Sequence, residues 1–234
     1  MPNPMVNRVA DKLAPFIKEK LEECKSNYKW PLPKIKCEFC CSELNEILRF
    51  AKSSGDKDAD QLIAFRHKFA EIWNRGLSQE IKVTLARYVI AEWGGIRSNN
   101  MKTLESYVLN IDDDISQLIK QSKGIASKSK LLATVCPQKF FVYDSWIAWG
   151  LNQFISNNFQ NSDVCFSFIS GRMPKPDEHE LKTKLKGKRR LSYTDYCELI
   201  QAISSKISGS EDSQLIEMTL FYLSRSQDKN LLIS

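Results

Sequence analysis

The chain has 234 residues, of which 42% are hydrophobic and 26% charged, so it can bury a core and disorder is not expected. Its apolar runs are far shorter than the roughly 20 residues that span a bilayer, and its N-terminus lacks a signal-peptide pattern, so no membrane partner is expected. Seven irregularly spaced cysteines favour reduced thiols and predict a cytoplasmic protein. The formal net charge of +6 is compatible with a polyanionic partner.

Hydrophobic residues recur at helical spacing along most of the chain, and no stretch alternates with period two for long enough to predict a sheet. The most loop-like segment is 155–190. We therefore expect an all-α fold, a compact two-lobed helical unit over residues 1–234 whose lobes meet near residues 115–154. The predicted helices, in chain order, cover residues 5–25, 44–51, 58–73, 78–93, 101–109, 115–119, 192–203 and 210–222.

Residues 115–154 predict a helix, a tight turn at Gly124, a second helix, a loop and a third helix that Asp144 opens. Ser127 is a good N-cap for the second helix, so the amides around Gly124, Ile125 and Ala126 would point outward from the turn. Amides in this arrangement bind phosphate. The alternative is that Gly124 only ends one helix so that two core helices can pack.

Lys128 and Lys130 fall in the predicted first turn of the second helix, where the helix dipole disfavours a positive charge and lowers the pKa of an amine. A nucleophilic lysine must be neutral. At about 100° per residue the two side chains point roughly 200° apart, so only one of them can face a given pocket. The alternative for each is a solvated surface lysine or a phosphate contact.

Asp144 precedes an apolar helical segment, so it can act as a plain N-cap. It is also a carboxylate beside a possible aromatic wall of Tyr143, Trp146 and Trp149. In that setting it could stabilise a developing cation or accept a proton from a nucleophile.

The glycine turn, the lysine, Pro137 in the loop and Asp144 together resemble the helix-hairpin-helix/Gly-Pro-Asp superfamily of DNA glycosylases. The likeness is closer to prokaryotic proteins similar to 8-oxoguanine DNA glycosylase, through residues 127–130 and 143–145. It places the helix-hairpin-helix at about residues 115–136 and the start of the catalytic helix at Asp144. Residues 93–97 and 217–221 are similar more weakly.

The resemblance implies base excision from double-stranded DNA that carries a modified base, with a purine like 8-oxoguanine favoured. The nucleotide would be flipped out, Asp144 would assist departure of the base, and a lysine amine would attack C1′ of the sugar to form a Schiff base. Alignment on the glycine turn favours Lys128 as the nucleophile, whereas alignment on the Ser-x-Ser-Lys pattern favours Lys130. The expected enzyme is a monomer, associated with the nucleoid if the source is prokaryotic.

Further site residues are expected, partly from the resemblance and partly from the residues themselves, since the basic run 182–190 would suit a mobile arm that touches phosphates. Expected DNA-phosphate contacts are Gly124, Ile125, Ala126, Ser127, Arg97, Lys188, Arg189 and Arg190, and expected base-pocket residues are Trp146, Trp149 and Phe221. Alternatives are a solvated loop for the basic run 182–190, a core position for Phe221 and a helix end for Arg97. Ala126 stands where the superfamily usually has a second glycine.

No cofactor is expected. The four-cysteine pattern of the iron–sulfur members has no counterpart near the C-terminus, so no metal cluster is predicted. Cys37, Cys40 and Cys41 form only one weak metal-site pattern, so no other metal site is predicted. The alternative function is a helix-hairpin-helix DNA-binding protein without catalysis, such as one of a mobile-element or antiviral system. A third class is a helical protein-interaction domain.

Overall fold

The computed structural model describes residues 3–33, 41–120, 123–159, 162–171, 175–207 and 213–225. This part of the chain is mostly helical, which confirms the predicted class. No helix in these ranges is both long enough and apolar enough to cross a bilayer.

Contacts between Cα atoms divide the chain into two compact units. The central unit is Lys25–Val142, and the terminal unit combines Met1–Cys24 with Tyr143–Ser234. The expectation of one compact unit stays a prediction.

The central unit is built from six α-helices and one π-helix within the described residues, and it includes the end of α1. Helix α7 lies at its core, because every residue from Ser127 to Val135 is buried. It packs against α3 and the π-helix. The bounds are α1 Pro4–Asn27, α2 Ser42–Ser53, α3 Asp58–Trp73, α4 Gln79–Arg87, the π-helix Tyr88–Trp93, α5 Met101–Asp113, α6 Ile115–Lys120 and α7 Ile125–Val135.

The terminal unit contains most of α1, four later helices and two short strands. Helices α8 and α11 approach closely at Gly150, where a Cβ atom would lie 2.1 Å from the Ser224 hydroxyl oxygen. The predicted closing helices are present, although residues 208–212, which include the predicted start of α11, lie outside the described residues. The bounds are α8 Ser145–Asn158, β1 Val164–Phe166, α9 Glu178–Lys184, β2 Arg189–Leu191, α10 Tyr193–Lys206 and α11 Ser213–Arg225.

Residues 155–190, predicted to be the most loop-like segment, also contain the end of α8, β1, α9 and the start of β2. The strands pair in parallel, with Cys165 opposite Arg190. Asn152 of α8 holds β1 in place: its side-chain amide donates to the Phe166 carbonyl at 3.0 Å, and its oxygen accepts from the Phe166 amide at 2.8 Å. Strands of three residues are too short for period two to reveal them.

Candidate functional site

Gly124 is the N-cap of α7, and the helix begins at Ile125. The prediction that Ser127 is the N-cap is wrong. The amides of Ser127 and Lys128 both donate to the Gly124 carbonyl, at 3.0 and 3.1 Å. The buried Ser127 hydroxyl instead accepts a hydrogen bond from the Asn99 side chain at 2.9 Å.

Two constraints require glycine at position 124. Its φ is +74°, in the left-handed region that L side chains rarely adopt. A Cβ atom there would also lie 2.6 Å from the Tyr107 hydroxyl oxygen. The turn of α7 therefore lies directly against the Tyr107 phenol of α5.

Lys128 lies behind this turn, in the fourth position of α7. Its residue surface is 1% exposed, so the alternative of a solvated lysine is wrong. The ammonium nitrogen lies 5.7 Å from the centre of the Tyr107 ring, a cation–π distance. Burial lowers the pKa of Lys128, because removal from water disfavours the charged form. The cause is desolvation and not the helix dipole, which was the cause expected from the sequence.

Lys130 occupies the second turn of α7 and is also buried, with 3% of its surface exposed. Its Nζ lies 6.0 Å from the centre of the Trp30 ring. Its aliphatic stem crosses Gly94 so closely that a Cβ there would lie 2.4 Å from Lys130 Cδ. Gly94 therefore provides the space that this lysine occupies.

Trp30 and Trp93 form an aromatic pair beside Lys130, with ring centres 5.5 Å apart. The buried guanidinium of Arg66 lies 5.5 Å from the Trp93 ring centre. We call Trp30, Arg66, Trp93 and Lys130 the tryptophan cluster. Within the ranges the structure describes, the buried Trp93 Nε1 has no hydrogen-bond acceptor. A buried donor without an acceptor is costly unless a ligand or water satisfies it.

The π-helix places Trp93 and Gly94 in this cluster. The Gly94 amide donates to the Val89 carbonyl at 2.8 Å, and the Ile96 amide donates to Ile90 at 2.9 Å. Short π-helical segments are rare and occur frequently at functional sites. Sequence periodicity predicted one helix through Trp93 and did not reveal this distortion, nor did it select Trp30 or Arg66.

Arg97 follows the π-helix and is largely exposed. Its guanidinium lies 3.7 Å from the Glu92 carboxylate, so it forms a long ion pair across the helix end. A long ion pair with one largely exposed partner contributes little to stability. The proposed phosphate contact of Arg97 stays a prediction.

Asp144 is the N-cap of α8, which confirms the structural interpretation of this residue. Its Oδ1 accepts from the amides of Trp146 and Ile147, at 2.9 and 3.1 Å. The side chain is partly buried. One carboxylate oxygen is therefore used structurally, and a role of the other in chemistry stays a prediction.

The predicted aromatic wall divides into core and partly exposed residues. Tyr143 is buried, its ring centre is 4.9 Å from that of Tyr196, and its hydroxyl donates to the Ser167 carbonyl at 2.7 Å. Trp146 and Trp149 are half-buried and meet edge to face at 6.0 Å. Only the two tryptophans could therefore offer surface to a base.

Lys175 is a buried amine beside Trp146 that the sequence argument missed. Its Nζ lies 5.4 Å from the Trp146 ring centre and 3.6 Å from the Glu178 carboxylate. A Cβ atom on Gly171 would lie 2.9 Å from this nitrogen and 2.2 Å from the Ser145 hydroxyl oxygen. No motif marks the residue, because only the folded chain brings it to the start of α8.

Phe221 is 5% exposed on α11, which supports its core alternative. The guanidinium of Arg225 lies 5.5 Å from the ring centre. A role of Phe221 in base stacking stays a prediction.

The basic run 182–190 is neither an arm nor a loop throughout. Its start lies in α9, and Arg189 and Arg190 lie in β2. Arg190 donates to the Cys165 sulfur at 2.7 Å and lies 5.3 Å from the Phe168 ring centre. Arg189 is exposed and Lys188 half-buried, so their phosphate contacts stay predictions.

The expected site residues are thus distributed over both units. The turn, both lysines and Arg97 belong to the central unit, whereas Asp144, both tryptophans of α8, Phe221 and the basic run belong to the terminal unit. No group of His, Cys, Asp and Glu in the described ranges could hold a metal ion. Cys37 and Cys40 lie outside these ranges, and Cys41 caps α2 by accepting from the Leu44 amide.

Comparisons of this chain with protein-family models, with curated proteins and with solved structures find no match. The resemblance carried by residues 115–154 therefore stays a prediction.

Proposed function

We propose that this protein is a DNA glycosylase with AP-lyase activity, which excises a modified base, an oxidised purine being favoured, through a lysine amine and Asp144. The observation that carries the proposal is the burial of Lys128 behind a glycine turn, with its pKa lowered by desolvation. A lysine of lowered pKa is a nucleophile at a pH where an ordinary lysine is protonated.

In the proposed reaction, the lone pair of the amine forms a bond to C1′ while the bond from C1′ to the base breaks. The electron pair of the broken bond leaves with the base, which takes up a proton. The sugar ring then opens to a protonated imine, loses a proton from C2′ and expels the 3′ phosphate. Asp144 Oδ2 would stabilise positive charge on the sugar.

Each lysine has one observation in its favour. Lys128 lies against the glycine turn and has a lowered pKa. Lys130 lies in the tryptophan cluster, where the Trp93 Nε1 proton lacks an acceptor among the described residues. A base with a carbonyl oxygen could satisfy such a donor.

The decisive experiment is trapping with borohydride. Duplexes that carry 8-oxoguanine, uracil or an abasic site are mixed with the protein, and a covalent adduct is sought. Lys128→Gln and Lys130→Gln are tested separately, with the exposed Lys139→Gln of the same unit as a matched control. We expect one of the two buried-lysine variants to lose the adduct and Lys139→Gln to retain it. No adduct and no alkali-labile site with any lesion would refute the enzyme.

The second candidate is a DNA-binding protein without catalysis. The observation in its favour is that Asp144 already serves as an N-cap with two amide bonds. It predicts salt-dependent duplex binding with no adduct. A helical protein-interaction domain would show neither.

A further inference from the structure

The terminal unit contains a cavity of about 730 Å³ between the start of α1 and the end of α8. Its lining includes Arg8, Asp11 and Lys12 of α1, together with Asn158, Phe159 and Asp163. Cavities of roughly 300–1,000 Å³ are the size that small ligands use. None of these residues belongs to the site proposed above.

Two cations of α1 share one face of the helix, because Arg8 and Lys12 are four residues apart. Both lie over the Phe159 ring, with the Arg8 guanidinium carbon 5.7 Å and the Lys12 nitrogen 5.1 Å from its centre. The Lys12 ammonium also donates to the Asn158 carbonyl at 3.3 Å. Two like charges therefore lie beside one aromatic ring at the cavity wall.

The carboxylates of the lining do not cancel this charge. Asp11 is paired with Lys206 at 2.6 Å, so its charge is already compensated. Asp163 is exposed, and its main-chain carbonyl is fixed by the Arg189 amide at 2.9 Å. Lys206 is not part of the lining, but it compensates Asp11, so the charges of Arg8 and Lys12 are opposed in the lining by one further carboxylate, that of Asp163. Neighbouring cations of this kind are stabilised by an anion that binds between them.

We propose that this cavity binds a phosphate group, with Arg8 and Lys12 as its ligands. A guanidinium donates two parallel hydrogen bonds to phosphate, and an ammonium adds a point charge. The phosphate can belong to a free nucleotide or to a nucleic-acid strand, since both present the same group.

The cavity lies at the opposite end of α8 from Asp144. Helix α8 has 14 residues, and at about 1.5 Å per residue the two ends are roughly 20 Å apart. The site is therefore separate from the proposed catalytic carboxylate and does not depend on base excision.

The test measures binding of inorganic phosphate, adenosine monophosphate and a short single-stranded oligonucleotide to the full chain by calorimetry. The variant Arg8→Gln/Lys12→Gln removes both charges from exposed positions, and Lys18→Gln removes an exposed charge of the same helix outside the cavity. We expect the double variant to lose affinity by about tenfold or more, because it removes charged hydrogen bonds, and Lys18→Gln to bind as the wild type does.

The three probes separate the two sources of phosphate. Binding of phosphate and the mononucleotide without the oligonucleotide identifies a nucleotide site. Oligonucleotide binding whose salt dependence is weaker in the double variant identifies a strand contact. Failure of the wild type to bind any probe, or an equal loss in Lys18→Gln, would overturn the proposal. The measurement uses no damaged DNA and no catalytic readout, so its failure is distinguishable from failure of the glycosylase proposal.

Discussion

Replacement of Gly124 by alanine tests the geometry of the candidate turn. Two costs are expected. The φ of +74° costs about 1–2 kcal/mol for an L residue, and the contact of 2.6 Å with the Tyr107 oxygen forces overpacking that costs about 1–3 kcal/mol. The summed loss of unfolding free energy is about 2–5 kcal/mol.

Gly76 provides a matched control in the same unit. Its φ is +75°, and a Cβ atom there would have no neighbour within 4 Å. Gly76→Ala should therefore show only the backbone cost of about 1–2 kcal/mol. The difference between the two alanine variants isolates the contact with Tyr107.

Tyr107→Phe completes a double-mutant cycle. It removes the hydroxyl oxygen and leaves the ring carbon Cζ, which lies 3.8 Å from a Cβ atom at position 124. In urea unfolding, Gly124→Ala should cost about 1–3 kcal/mol less in the Tyr107→Phe background than in the wild type. Equal costs in the two backgrounds, or equal costs for Gly124→Ala and Gly76→Ala, would refute the close approach of Tyr107 to the turn.

Three further predictions concern the proposed chemistry and the terminal unit. Because the folded-state pKa of Lys128 is lowered, the unfolded chain binds more protons than the folded chain at alkaline pH. The free energy of unfolding should therefore rise with pH between the folded-state pKa and the ordinary value of 10.5. Lys128→Met should abolish this rise in urea titrations at several pH values, and an unchanged dependence on pH would contradict the burial of Lys128. Asp144→Asn should retain the cap and duplex binding but lose excision in a glycosylase assay, and full activity would exclude the carboxylate from the reaction. Asn152→Ala should lower the free energy of unfolding by about 2–4 kcal/mol and expose the Phe166 amide to hydrogen exchange, because both hydrogen bonds from Asn152 to β1 are buried. Asn152→Asp should keep only the hydrogen bond that the side-chain oxygen accepts from the Phe166 amide.

The conformation of the central turn shows how far local sequence reasoning extends. Gly124 was predicted as the turn residue, and its positive φ agrees with that prediction. The predicted cap at Ser127 was wrong because α7 already begins at Ile125, with Gly124 as its N-cap. The Ser127 hydroxyl instead accepts from Asn99, which is remote in sequence. Local propensity identified the break, but it misplaced the first residue of the helix by a few positions.

Helical periodicity and capping residues by themselves determined most of the helical elements, because both act within a few residues of the chain. Ser78 caps α4, Ser192 forms a capping box on α10, and Asp144 caps α8. The sequence also determined that Lys128 and Lys130 point in different directions, since this follows from helix geometry alone.

Only the tertiary structure decided the environment of these lysines. Periodicity cannot show that Tyr107 covers one amine or that Trp30 and Gly94 surround the other, because these partners come from distant segments. The same holds for Lys175, which no motif marks and which packing buries beside Trp146. Burial lowers the pKa of Lys128, and burial is a property of the packed chain.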